Sequence, residues 1–145
     1  MKRRIYLASS WRNPLQPDVL SNLRSAGHEV YDFRNPCPGN TGFDWREVDP
    51  LWQQWDARAY VAALEHPIAR EGLRRDFEAM RWADSFVMVQ PCGRSAALEL
   101  GWAIGAGKRT AVLLDDNSEP ELMLRLANLL TPSLGDVLEW LESLP

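Results

Sequence analysis

Two carboxylates stand where a purely structural sequence would not need them. Glu99 follows a strand-like run, Ser85-Phe86-Val87-Met88-Val89, and a turn ending in Gly93-Arg94-Ser95. With Ser95 as N-cap of a helix from Ala96 to about Gly105, Glu99 falls in the first turn. There the positive end of the helix dipole favours the ionised carboxylate that a nucleophile needs. Leu98, Leu100 and Ile104 surround it in sequence, so its setting is expected to be partly dry. An ordinary first-turn glutamate fits the same positions. Asp76 is the second carboxylate. It lies in a helix that Pro67 can open and that runs to about Asp84, with Leu73, Phe77 and Met80 as the apolar stripe. At the helical repeat Asp76 points between the directions of Met80 and Ala83, whereas Glu78 and Trp82 lie on the other face. An acid in an inward arc needs a partner or a function. A rim position, or an ion pair with Arg74 or Arg75, is the alternative.

The Gly93-Arg94-Ser95 turn offers free backbone N–H groups at a helix start, which is an anion site by construction. Arg12, just past the first strand, is expected at the same sheet edge, so a phosphate or carboxylate fits there. No P-loop pattern and no Gly-x-Gly-x-x-Gly are present, so dinucleotide binding of the Rossmann type is not supported. His28 and His66 lack ligand spacing, and no metal is expected. Cys37 and Cys92 make neither a disulfide framework nor a zinc site, and Cys92, with no histidine near it in sequence, reads as inert packing.

These residues need a scaffold, and the apolar runs supply one. Ile5-Tyr6-Leu7-Ala8 reads as a buried strand. A helix capped by Asn13, with Pro14 at its first position, runs to Ala26 before Gly27, and His28-Glu29-Val30-Tyr31 is the next strand. That succession has the length of a parallel βαβ unit. Helices are expected over 56–65 and from Pro67 onward, then the Ser85–Val89 strand, the Glu99 helix, a strand over Thr110–Leu114, and two closing helices near 119–130 and 134–141. The predicted fold class is α/β: a three-layer α/β/α arrangement, flavodoxin-like or Rossmann-like, on a parallel sheet of four to five strands, in one domain over 1–145. In such sheets ligands sit beyond the carboxyl ends of the strands. Residues 33–55 differ: Pro36, Pro38, Gly39, Asn40, Gly42 and Pro50 break regular elements, and Phe43, Trp45, Trp52 and Trp55 sit among them. This segment reads as a lid or binding loop.

Composition narrows the function classes. The chain has 145 residues, 46% hydrophobic and 25% charged, with a formal charge of −4. A negative balance argues against a nucleic-acid polymer or a membrane surface as partner. The apolar run after Met1-Lys2-Arg3-Arg4 stops at Ala8, too short for a signal-peptide core or a span, so a cytoplasmic protein is expected. Tryptophan is the anomaly. There are 7, against about two at typical usage. Trp is favoured at partly buried sites, interfaces and ring-binding pockets, so most of the excess is expected there and little in the central core.

Taken together, Ile5-Tyr6-Leu7-Ala8-Ser9-Ser10-Trp11-Arg12, Asp76, Ala83-Asp84 before the strand, Leu98-Glu99-Leu100-Gly101-Trp102-Ala103 and Gly107-Lys108 resemble the nucleoside 2-deoxyribosyltransferase superfamily, which includes the 2′-deoxynucleoside 5′-monophosphate N-hydrolases. The resemblance covers most of the chain. It implies cleavage or transfer at the N-glycosidic bond of a small-molecule nucleoside or nucleotide, through a glycosyl-glutamate, with no cofactor. It gives Glu99 the role of nucleophile and Asp76 that of holding the sugar or helping the base to depart, and it has Tyr6 orient Glu99. Trp11 would line the base pocket and Arg12 would contact phosphate, with Ser9, Gly93, Arg94 and Ser95 at the same edge and Phe43 and Trp45 over the ring. The family completes its site from a neighbouring subunit, which implies a homo-oligomer, a dimer or a multiple of dimers, with Glu121 and Met123 in the contributing segment. Two positions depart from the pattern. Gly93 stands where the transferases carry an aspartate, and Glu121 where the family has asparagine or serine, a carboxylate that would repel a 5′-phosphate. The Pro- and Trp-rich segment matches neither group. Two other readings compete: an NAD-cleaving hydrolase resembling bacterial TIR domains, and a non-catalytic nucleotide sensor.

Overall fold

The computed structural model describes residues 1–145 and contains a five-stranded sheet of order β2-β1-β3-β4-β5. The strands are β1 (Arg4–Ala8), β2 (Glu29–Tyr31), β3 (Ser85–Val89), β4 (Arg109–Leu113) and β5 (Leu129–Thr131). All neighbouring pairs are parallel. The helices are α1 (Gln16–Ser25), α2 (Ala57–Ala63), α3 (Pro67–Trp82), α4 (Arg94–Gly105) and α5 (Leu134–Ser143). The chain divides into two compact units: Met1–Asp32 with Met80–Pro145, which holds the whole sheet, and Phe33–Ala79.

The layers follow from strand alternation. Ile5, Leu7, Val30, Val87, Val89, Ala111 and Leu113 point to one face, where Val19 and Leu23 of α1 and Val137 and Leu141 of α5 close the core. Tyr6, Phe86, Met88 and Val112 point to the other and are buried. There α4 packs on β1, β3 and β4, and Trp102 meets Phe86. Helices on both faces make a three-layer α/β/α fold, and they explain why β3 is buried throughout, with four apolar residues in a row after Ser85. In the strand order, the chain turns outward in opposite directions from β1 and β3, so the ligand crevice of such a sheet is expected beyond their carboxyl ends.

Several boundaries differ from those read in the sequence. The expected helix near 119–130 is absent; a 3-10 segment, Leu122–Leu126, precedes β5. Pairing decides this: Ala111, Val112 and Leu113 of β4 take Leu129, Leu130 and Thr131 as partners, and Asn128 brackets Thr110 by donating to its carbonyl and accepting its N–H. A covered strand edge outweighs the helical propensity of the leucines. Asn13 is not the N-cap of α1. It lies two residues before Leu15, whose N–H it accepts at 2.8 Å. On α3 the apolar stripe is rotated, with Leu73 70% exposed while Ala69, Ala79, Met80 and Ala83 are buried. Phe43 lies against Gly72, where an added Cβ would come within 3.1 Å of its ring, so the close approach selects the Ala/Gly side of the helix. Gly72→Val is therefore expected to destabilise the protein by about 1–3 kcal/mol through overpacking, read as a lower urea midpoint; an unchanged midpoint refutes the fit.

The segment 33–55 has more order than expected. Asp44 accepts the N–H of Arg46 at 2.8 Å and opens a 3-10 turn, Trp45–Glu47. Asp49 accepts Leu51 N–H at 2.9 Å and the Trp55 indole N–H at 2.7 Å, beside a second turn, Trp52–Gln54. These bonds hold the Asp49 carboxyl below the usual range, the Leu51 amide contributing most. Trp45 meets Phe43, Trp55 and Tyr60 edge-on at centroid distances of 4.7, 5.5 and 6.0 Å. No tryptophan is fully buried, in line with an excess that lies outside the central core.

His28, just before β2, is 5% exposed. Its Nδ1 accepts Arg3 N–H at 3.2 Å, and its Nε2 is enclosed without a partner. Burial, the largest cause, lowers its pKa below 6.5, against the opposing pull of Glu142. The unfolded chain then takes up the proton first as pH falls. The contribution of His28 is full above its ordinary value and is lost as pH falls toward and through the folded value. Wild type is expected to lose more stability than His28→Asn between pH 7 and pH 5, measured as paired urea midpoints; parallel curves would refute this.

Candidate active site

The carboxyl ends of β1, β3 and β4 are tied to one another by buried polar bonds. Ser9 Oγ donates to the Val89 carbonyl at 3.1 Å. Asn13 Nδ2 donates to Ser9 Oγ at 2.8 Å and to the same carbonyl at 3.1 Å. Gln90 N–H donates to the Leu113 carbonyl at 3.0 Å, and Asp115 N–H to Gln90 Oε1 at 3.3 Å. The Gln90–Pro91 peptide between β3 and α4 is cis.

Ser9, Trp11, Arg12, Gly93, Arg94 and Ser95 follow the carboxyl ends of β1 and β3, Glu99 lies on α4 beyond them, and Tyr6 sits mid-strand in β1, all in one compact unit. Trp11 is 51% exposed, and Arg12, Gly93, Arg94 and Ser95 are exposed as well. Helix α4 starts at Arg94, with Gly93 as an N-cap that makes no side-chain bond. The Ser95 cap is thus corrected, and so is the first-turn placement of Glu99. The Gly93 carbonyl already accepts Ala97 N–H at 3.4 Å, which begins the helix earlier. Beyond the first turn the helix dipole fades, so position does more for Glu99 than the dipole does. Ala96, Leu100 and Ala103 form the buried stripe of α4, and half-buried Glu99 lies at its edge next to Trp102. Leu98 is 76% exposed, so it does not help to dry the site.

Two further observations fix the neighbourhood of Glu99. The Cys92 thiol is pushed up by burial first, then by the charges of Asp115 and Glu99, so both carboxylates are near enough for their charge to reach it. A row of aromatic rings runs beneath. Tyr6, wholly buried, stacks on Tyr31 at 5.4 Å and on Phe86 at 5.0 Å, and Phe86 meets Trp102 at 6.2 Å. Half-buried Glu99 thus sits on a helix whose Trp102 meets a ring of the sheet.

The chain is similar to solved structures. Over 94% of this chain and 90% of that one, it superposes on a 2-deoxyribosyltransferase from Bacillus psychrosaccharolyticus, with a TM-score of 0.58 at 21% identity. The two share a fold. A CMP N-glycosidase from Clostridium botulinum aligns over 98% and 99% of the two chains, with a TM-score of 0.49 at 15% identity. No family model matches the sequence, and no curated protein matches it.

The remaining candidates lie elsewhere. Asp76, half-buried, shares the face of α3 that carries Ala69, Ala79 and Met80, which agrees with its inward direction. It belongs with Phe43 and Trp45 to the Phe33–Ala79 unit. Glu121 and Met123 are exposed, and the Glu121 carboxylate accepts Met123 N–H at 3.0 Å. No group of three or more His, Cys, Asp or Glu side chains is arranged to hold a metal ion, and no helix is long and apolar enough to cross a membrane.

Sequence reasoning missed four polar residues at this edge. Asn13 is a brace between strand ends, the charge of Asp115 reaches Cys92, and Gln16 and Asp32 are a buried pair in which Gln16 Nε2 donates to Asp32 Oδ1 at 3.0 Å beyond β2. A glutamine on the buried face of α1 was the available signal.

Proposed function

We propose that this chain is an enzyme of the nucleoside 2-deoxyribosyltransferase type, cleaving or transferring the N-glycosidic bond of a nucleoside or nucleotide through a covalent glycosyl-Glu99 intermediate. The observation that carries the reading is Glu99: a half-buried carboxylate at the carboxyl edge of a parallel sheet, beside Trp102 and above the Tyr6–Phe86 ring row. The structural relative with the same fold is a 2-deoxyribosyltransferase described as a biocatalyst for nucleoside synthesis, and its chemistry is carried over to this chain as part of the proposal.

In this reading a Glu99 oxygen bonds to C1′ as the bond from C1′ to the base nitrogen breaks through an oxocarbenium-like transition state. The base leaves with the electron pair and takes a proton, with Asp76 as the second carboxylate. Water, or a second base, then attacks C1′ and returns Glu99 as a free carboxylate. Two displacements retain the configuration at C1′, the logic of retaining glycosidases. Tyr6 orients Glu99. Trp11 stacks on the base, Phe43 and Trp45 cover the ring, and Ser9, Arg12, Gly93, Arg94 and Ser95 receive a phosphate or the sugar. Glu121 and Met123 are assigned to a neighbouring subunit's site in a homo-oligomer.

The test is a panel of deoxynucleosides, ribo- and deoxynucleotides and NAD, incubated with the protein while free base is followed by chromatography. Release of base from a deoxynucleoside or deoxynucleotide supports the reading. Release from NAD alone points to the TIR-like activity, and binding without release points to a sensor.

A further inference from the structure

The Phe33–Ala79 unit carries a cleft of its own. A cleft of about 500 Å³ runs between the 39–43 loop and one flank of α3, with Asn40, Thr41 and Phe43 on one side and Ile68, Glu71 and Arg75 on the other. That volume accommodates a small organic molecule. The loop wall is preformed. Gly39 and Gly42 adopt φ of +79° and +89°, which side chains rarely adopt, and Asn40 Oδ1 accepts Gly42 N–H at 2.8 Å.

Arg75 is the anomaly of this cleft. It is half-buried, its Nε is enclosed, and no acceptor reaches that nitrogen. The acids nearest along the helix are already taken. Arg74 donates to both oxygens of Glu71, at 2.8 and 2.6 Å, and pairs with Glu78 at 2.8 Å. Arg46 and Arg70 of the same unit pair with Asp44 and Glu65. Glu71 spends its hydrogen bonds on Arg74 and feels Arg75 only through space, and Glu47 is exposed, so Arg75 lines the cleft without an ion pair of its own. An enclosed donor without an acceptor is costly, so a shift of the Arg75 side chain toward the cleft that lets Nε meet an acceptor is favoured, and an oxyanion is the partner a guanidinium matches best. Ile68 and the flank of Phe43 add an apolar wall suited to a flat ring.

We propose that this cleft binds a small molecule carrying a phosphate or carboxylate on a flat apolar group, with Arg75 as its anchor. The site lies wholly within one unit; it shares Phe43 with the ring cover of the proposed function, but its anchor, Arg75, has no part in that chemistry.

The full chain is titrated calorimetrically with phenyl phosphate, benzoate and inorganic phosphate. Saturable binding of phenyl phosphate or benzoate is expected, tighter than that of inorganic phosphate, and the two organic probes decide between the oxyanion classes. Arg75→Gln is expected to weaken binding about tenfold or more, and Arg75→Lys less, because the charge survives without the fork. The NMR signal of the Arg75 Nε–H, assigned by its loss in Arg75→Lys, is expected to shift on binding, which a purely structural arginine would not show. Affinity unchanged in a folded Arg75→Gln, an unmoved Nε–H signal, or no saturation by either organic probe overturns the proposal.

Discussion

Glu99→Gln is expected to lower base release at least about a thousandfold, roughly 4 kcal/mol of transition-state stabilisation. The amide keeps the size and hydrogen-bonding reach of the side chain but cannot become the carboxylate that bonds C1′. Because Glu99 is only half-buried at the edge of the α4 stripe, the variant should fold, and an unchanged urea midpoint would confirm it. The loss is expected in kcat and kcat/KM alike, since the interaction exists only on the way to the transition state. Mass spectrometry of enzyme quenched during turnover should find a glycosyl adduct on the peptide that carries Glu99. Residual activity above about a tenth of wild type, or an adduct on another residue, would remove Glu99 from its assigned role.

Phe86→Ala is expected to cost about 3–5 kcal/mol of stability, measured by urea unfolding. Phe86 is completely buried at the centre of the sheet, stacks on Tyr6 at 5.0 Å and touches Trp102 of α4 at 6.2 Å. Truncation removes a large apolar area and leaves a cavity under two rings that cannot collapse without moving α4. Against a typical domain stability of about 5–15 kcal/mol, that is a large fraction. The consequence extends to the candidate site: Trp102 neighbours Glu99 on the helix, so a variant that still folds should lose activity beyond its folded fraction. A cost below about 1 kcal/mol would mean that the ring row does not support α4.

Much of this protein was determined by its sequence alone. A short run such as Phe86–Val89, bounded by turn residues, reads as a strand covered on both faces, and the alternation of such runs with helical segments points to a parallel sheet. That placed Ser9, Gly93, Arg94 and Ser95 at one carboxyl edge, with Glu99 on the helix that follows, because residues just after parallel strands must collect there. The inward direction of Asp76 was legible too, since helical periodicity is set by the backbone.

What tertiary structure decided were features that depend on a partner distant in sequence. Leu129–Thr131 became a strand because β4 presented an open edge. Leu73 turned outward because the ring of Phe43 needed the flat side of Gly72. Ser9 and Asn13, which read locally as a strand end and a helix cap, were drawn together onto the Val89 carbonyl, where a buried acceptor must be satisfied. Glu99 moved past the first turn of its helix when α4 began at Arg94, so its place at the edge of the buried α4 stripe, instead of the helix dipole, defines its setting. The state of Arg75 emerged only in three dimensions, since Glu71 and Glu78 stand within reach of either arginine along α3 and the fold assigns both to Arg74. Local sequence sets which way a side chain can point, but only the assembled chain sets what it meets there.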